Sequence, residues 1–400
     1  MNPPKYEPKP LSLNDFIRQN KVGSGSFGKV YLVLEKRSKK CYAAKISRNQ
    51  IDESENNIDF IREINIMSKL NHPSVVKFLL FSPYNFKHKP KPVIITEYVS
   101  NGSLSQLIDH DRNFPYNSYL TPTRKLIIIY GIASAMSYLH SNHIIHRDLK
   151  PDNILINERY YPKVTDFGYS KSTTPSQSMD LHSTLASIKG TPMYMAPEIM
   201  FQQLYSEYSD VYAFSYIVYE IMTLKKPFEV ENVCQLMEKI KNKERPIFDT
   251  YVPKAYEKLI EKCWKNYPLQ RPKFEYILIK LRNNHDFITD DVDEGKYLEY
   301  IKYIDDYKTT FDSNLVKDNF EDLFTKFRKS ILSNKDDIIV RQNINEYITS
   351  NIKHFPYKYF IELSEKSQEL IIEAESGDIE KQFKVGQNLI EGRYDFPIDT

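Results

Sequence analysis

A chain of 400 residues with 41% hydrophobic and 27% charged side chains carries enough apolar mass for a two-lobed domain with more besides, which excludes a polypeptide dominated by disorder. The net charge of +2 hides a split: residues 285–400 hold 15 basic and 25 acidic side chains, net −10, against 40 and 28, net +12, before them. The three cysteines, Cys41, Cys234 and Cys263, stand far apart with no CxxC pair or histidine cluster, so neither a disulfide framework nor a zinc site is indicated and a reducing compartment fits.

In chain order, the opening MNPPKYEPKP has no apolar core and Asn2 is not the glycine that myristoylation needs, so residues 1–11 read as a flexible leader. GSGSFGKV, Gly23 to Val30, reads as a strand-turn-strand loop. Glycines let its backbone N–H groups approach phosphates that a Cβ would obstruct, and Phe27 would cap the tip. A GxGxxG alone is weak evidence. Lys45 lies fifteen residues after Val30 in the apolar run AAKI, a strand, and Glu63 eighteen further on in FIREINIM, a helix. Ile61, Ile64, Met67 and Leu70 recur at helical intervals and leave Glu63 beside the buried stripe, where a strand lysine can reach it. By itself such a pair is equally an ordinary surface ion pair. VIITEYVSNGSL, Val93 to Leu104, is a strand ending in a polar, glycine-containing break. The longest apolar stretch, Leu126 to Leu139, is too short to span a bilayer and reads as a buried helix.

The richest segment follows. HRDLKPDN runs from His146 to Asn153 and DFG from Asp166 to Gly168, twelve residues apart. Asp148 can take a proton from an attacking hydroxyl, while Asn153 and Asp166 supply hard oxygen ligands for magnesium, which together spell phosphoryl transfer. Lys150, two residues beyond Asp148, can face the same way in an extended loop. Further on stand GTPMYMAPE (Gly190 to Glu198), SDVYAF (Ser209 to Phe214) and CWKNYPLQRP (Cys263 to Pro272).

In this order and spacing the motifs resemble the eukaryotic protein kinase family over about residues 12–284. The resemblance implies an α+β fold, a β-rich N-lobe and a helical C-lobe, with ATP and Mg2+ as cofactors and protein substrates. It implies catalytic roles for Asp148, Lys150, Lys45 and Glu63, and metal ligation by Asn153 and Asp166. Val22, Gly23, Ser24, Gly25, Ser26, Phe27, Gly28, Lys29 and Val30 would cover the nucleotide. Lys45 would hold the phosphates, Val30, Ala43 and Leu155 would sandwich the adenine, Thr96 would be the gatekeeper, and backbone around Glu97, Tyr98 and Val99 would bond the base. Glu198 and Arg271 would form a buried pair. Arg147 before the catalytic aspartate implies a phosphate on the activation segment, with Ser183, Thr184 and Ser187 as candidates. MAPE, the CW…P..RP pattern and SDVYAF are closest to the tyrosine-kinase-like group, while Lys150 in DLKPDN indicates serine or threonine acceptors. A dual-specificity or tyrosine kinase, and a pseudokinase scaffold, are the alternatives. Ser215 departs from the family, which often has glycine there.

Residues 285–370 alternate apolar and charged side chains at mostly helical spacing, broken near Asn334 and at Pro356, and read as a helical linker region. From Ile372, AESGDIEKQFKVGQNLIEG resembles the opening of a Sel-one-like repeat, with Gly377, Gly386 and Gly392 at its characteristic positions. Such units need about three copies to bury their faces, so residues 371–400 are expected to be a truncated repeat that binds protein partners. No nucleic-acid motif or membrane anchor is visible, and the expected location is cytoplasmic.

Overall fold

The computed structural model describes residues 11–24, 28–48, 63–168, 170–172 and 192–309. Most of the leader, the loop-tip residues Gly25, Ser26 and Phe27, the candidate phosphosites Ser183, Thr184 and Ser187, and residues 310–400 with the Sel-one-like segment lie outside the described residues.

The chain forms a β-sheet N-lobe and a helical C-lobe. Five antiparallel strands, β1 (Phe16–Ser24), β2 (Gly28–Glu35), β3 (Cys41–Ser47), β4 (Phe78–Ser82) and β5 (Val93–Glu97), pair in the order β1-β2-β3-β5-β4. The period of two along β3 sends Ala44 and Ile46 into a small core with Phe16, Val33, Val93 and Ile95, and Ala43 and Lys45 to the opposite face. Because Val30 and Ile94 lie across from Lys45, and Leu32 and Thr96 across from Ala43, all six share that second face. Gly28 is demanded by strand packing, since a Cβ there would sit 2.2 Å from the Ile46 carbonyl oxygen. At Gly23 the nearest atom would be 3.8 Å away, an ordinary contact. Residues 63–67 are helical, here α1, with Ile64 and Met67 buried beside Glu63.

In the C-lobe, α2 (Leu104–Asn113) opens on a capping box between Ser103 and Gln106. The helices α3 (Pro122–Ser141) and α5 (Glu207–Thr223) are buried almost all round, as core helices must be. Around them stand α4 (Pro197–Gln202), α6 (Val233–Lys241), α7 (Lys254–Cys263) and α8 (Phe274–Asn283). Ser215 is accommodated inside α5 by donating its hydroxyl to the Tyr212 carbonyl at 2.6 Å. Four short strands frame a loop at the lobe's upper edge: β6 (Ile144–Ile145) pairs with β9 (Lys171–Ser172), and β7 (Ile154–Ile156) with β8 (Pro162–Val164). The last helix among the described residues, α9 (Glu294–Thr309), packs on α3 and buries Tyr297, Tyr300, Ile301 and Ile304. No helix among the described residues is long and apolar enough to cross a membrane.

Candidate active site

The loop between β6 and β7 is held from beneath by one buried carboxylate. Asp210, at the start of α5, accepts the backbone N–H of His146 through Oδ2 and that of Arg147 through Oδ1, both at 2.9 Å, while Oδ2 also lies 2.9 Å from His140 Nε2. Burial alone would raise its pKa, but the His140 hydrogen bond and the charges of His140 and His146 hold it below the usual carboxylate value. These bonds keep Arg147 at φ 69°, a left-handed conformation that a non-glycine residue seldom adopts. His146 Nε2 lies 3.0 Å from the Thr165 carbonyl and so ties this loop to the segment entering Asp166.

Asp148 comes next and is only 6% exposed. Its Oδ2 accepts from Lys150 Nζ at 2.8 Å and from Asn153 Nδ2 at 2.9 Å. The same Asn153 nitrogen reaches the Asp148 carbonyl at 2.8 Å, which leaves the carboxamide oxygen as the available ligand atom. Lys45 Nζ stands between two carboxylates, 2.6 Å from Glu63 Oε1 and 3.1 Å from Asp166 Oδ1. Burial would lower the Lys45 pKa, yet Asp166 and Glu63 together hold it above the ordinary value. Asp166 shows the mirror case: burial would raise it, but Lys45 keeps it below the usual range, so the carboxylate is ionised at neutral pH. Among the described residues no three His, Cys, Asp or Glu side chains form a metal cluster. The pair Asn153 and Asp166 nevertheless fits magnesium, a hard cation that takes one or two protein oxygens and completes its shell with phosphate and water.

On the sheet side, Val30, Ala43 and Thr96 share the cleft-facing surface with Lys45. Leu155, on β7, approaches from the other lobe beside Ser103. Val22 on edge strand β1 is 48% exposed, and Ser24 and Lys29 are exposed as well. Val99 is buried and Tyr98 half-buried in the connector after β5. The Glu97 side chain is engaged elsewhere: Oε1 accepts the Lys77 backbone N–H at 2.8 Å and Lys163 Nζ at 2.7 Å. Farther down, Arg271 grips Glu198 bidentately, at 2.6 and 2.8 Å, in the lobe interior. The Arg147 guanidinium stacks 4.5 Å over the Tyr205 ring.

The sequence singles out Lys45, Glu63, Asp148, Lys150, Asn153 and Asp166, and the fold gathers them in two linked groups, Lys45 with Glu63 and Asp166, and Asp148 with Lys150 and Asn153, joined by the Thr165 N–H bond to the Asn153 carbonyl at 3.0 Å. The sequence carries Asp210 inside the SDVYAF run without giving it a role, and does not single out Lys163 or Tyr205. For Asp210 a signal exists, an acidic residue in the first turn of α5 that falls on the buried side of a mostly apolar helix, whereas the Lys163–Glu97 pair bridges 66 positions with no local pattern.

The protein kinase domain family matches residues 16–285. The chain belongs to the protein kinase family. Among its relatives, the dual specificity protein kinase shkB of Dictyostelium discoideum is 33% identical over 267 residues, 66% of this chain and 39% of that protein. The serine/threonine-protein kinase CTR1 of Arabidopsis thaliana is 36% identical over 274 residues, 67% of this chain and 31% of that protein. A second dual specificity kinase of Dictyostelium discoideum, shkC, is 32% identical over 284 residues, 70% and 52% of the two chains. The matched region thus spans about a third to a half of the length of these relatives, and the family match itself ends before α9.

Proposed function

We propose that the chain transfers the γ-phosphoryl group of ATP to serine and threonine hydroxyls of proteins, as a signalling kinase of the tyrosine-kinase-like group. The observation that carries this reading is the Asp148 carboxylate, fixed through Oδ2 by Lys150 and Asn153, while Oδ1 makes no hydrogen bond among the described residues. Oδ1 is the acceptor for the proton of an incoming hydroxyl. Lys150 holds the carboxylate and, on this reading, steadies the transferring phosphate. Lys45, oriented by Glu63, positions the inner phosphates, and Val30, Ala43 and Leu155 enclose the adenine. Asn153 and Asp166 would hold magnesium, which when bound supplies charge neutralisation at the phosphates.

With all six groups in place, a pseudokinase scaffold is the weaker reading. Dual specificity is the competing enzyme reading, supported by the names of shkB and shkC. Phosphoamino-acid analysis of a generic protein substrate after incubation with ATP and magnesium tests the choice: phosphoserine and phosphothreonine are expected, and phosphotyrosine in comparable amount would replace this reading with dual specificity. Phosphorylation at Ser183, Thr184 or Ser187, a cytoplasmic location, and partner binding through a Sel-one-like tail belong to the same proposal.

A further inference from the structure

The helix α9 lies beyond the region matched by the kinase family, yet it is seated in a purpose-shaped socket. Tyr300 is fully buried, and its hydroxyl lies 2.9 Å from Ser74 Oγ, 226 positions away in sequence. Room for it is made by Gly131, in the middle of α3: a Cβ there would come within 2.2 Å of the Tyr300 hydroxyl and 2.4 Å of Pro162 Cγ. Apart from proline, glycine is the least favourable residue for a helix interior, so the position is given up to the tyrosine. One helical turn pair later, Tyr307 donates to Asn71 Oδ1 at 2.8 Å. Asn71 in turn donates its backbone N–H to Tyr138 of α3 at 2.9 Å.

What α9 grips is the connection between α1, which carries Glu63, and β4. Within it, the Ser74 carbonyl accepts the Val164 N–H at 2.8 Å, and the Val76 N–H donates to the Val164 carbonyl at 2.9 Å. Asp166 is two residues beyond Val164. Ser74 therefore stands at a junction, with the Glu63 helix on one side and the strand leading to Asp166 on the other. Burial drives the Tyr300 phenol far above its ordinary pKa, so it remains a neutral hydrogen-bonding group at any physiological pH.

We propose that Tyr300 is a positioning residue for phosphoryl transfer: by anchoring Ser74 it fixes the connection that sets Glu63 and Asp166 on either side of Lys45. The proposal rests on the kinase reading above. Its internal control is on the same helix. Tyr297 is equally buried and donates to the Leu281 carbonyl at 2.9 Å, a bond into α8 that touches neither Ser74 nor the strand before Asp166.

The full chain and its Tyr300→Phe, Ser74→Ala and Tyr297→Phe variants would be compared by amide hydrogen exchange over residues 63–76 and 163–168, and by kcat and KM with ATP and magnesium well below every melting midpoint. Tyr300→Phe and Ser74→Ala should each speed exchange in both segments and lower kcat by roughly fivefold with the protein-substrate KM unchanged. The double variant should be no worse than either single, because both remove one bond. Tyr297→Phe should lower the melting midpoint by a similar amount and leave exchange and kcat alone. Equal behaviour of Tyr297→Phe and Tyr300→Phe, or faster exchange in Tyr300→Phe with kcat intact, would overturn the proposal. An inactive wild-type chain would instead strike the kinase reading, and unchanged exchange in Tyr300→Phe would still overturn this inference.

Discussion

Replacing Asp210 by asparagine keeps the shape of the side chain and removes one acceptor. The carboxylate now serves three donors, with Oδ2 taking His146 N–H and facing His140 Nε2 while Oδ1 takes Arg147 N–H. An asparagine that keeps its oxygen at the Oδ2 position must turn its NH2 toward the Arg147 N–H, donor against donor. One charge-assisted bond is lost, about 1.5–3 kcal/mol, and a buried N–H is left unsatisfied at about 1–3 kcal/mol more, so the loss is about 4 kcal/mol. The Arg147 backbone at φ 69° stores about 1–3 kcal/mol of strain that this bond now restrains. The loss exceeds the strain, so the loop relaxes and carries the adjacent Asp148 with it. A shift on the order of 1 Å in a catalytic group costs about a hundredfold in rate. In a coupled ADP-release assay kcat should therefore fall about a hundredfold, the melting midpoint should drop by roughly 10 °C, and nucleotide affinity should stay within about threefold, since no bond of Asp210 reaches Lys45. A variant with lowered stability but kcat within about threefold of wild type would refute the reasoning. The pH dependence has a fixed sign. Asp210 is held below its unfolded pKa of about 3.9, so its stabilisation is complete above that value and is lost as pH falls through the lower folded value. Acid unfolding followed by circular dichroism should accordingly be shallower below about pH 4 in Asp210→Asn than in wild type.

Lys45→Met leaves Glu63 and Asp166 without the cation between them, and should weaken nucleotide binding as well as kcat; equilibrium binding of a fluorescent ATP analogue would detect the first, and unchanged affinity would displace Lys45 from the phosphate role. On the proposed reading Thr96 is the gatekeeper of the adenine site, so in Thr96→Met inhibitors reaching past it should lose affinity by at least tenfold, about 1.4 kcal/mol, while the KM for ATP stays near wild type. Equal inhibition of both forms would mean that Thr96 does not gate that site. Ending the chain at residue 284 removes four buried side chains of α9, worth about 1.5–3 kcal/mol each, so residues 1–309 should melt well above residues 1–284 by calorimetry. Equal midpoints would show α9 to be dispensable for stability.

Most of the cleft was legible because its groups come in short runs whose spacing is itself the geometry. Asp148, Lys150 and Asn153 sit within six positions of one another, so a single loop places them. Lys45 and Glu63 follow from one strand face and one helix face. Gly28 carries a constraint that its motif does not announce: the fold demands it where β2 meets the Ile46 carbonyl. What stayed illegible joins distant segments. Asp210 reaches its loop across 63 and 64 positions, Lys163 reaches Glu97 across 66, and Tyr300 reaches Ser74 across 226. Such pairs are fixed by how the lobes and helices pack, and residue types at those positions are common enough to carry no message alone. Tyr300 in particular reads as one tyrosine among 30, and its meaning appears only opposite Gly131.

The most direct test of the account is single-turnover transfer of γ-phosphate from ATP to a generic protein substrate in magnesium, for the full chain and for Asp148→Asn, with nucleotide affinity measured alongside. The account predicts transfer by the wild type, a rate lowered about 10²- to 10⁴-fold in the variant, and nearly equal ATP affinity, because the carboxylate acts on the hydroxyl and not on the nucleotide. A variant that transfers phosphate as fast as wild type would contradict it.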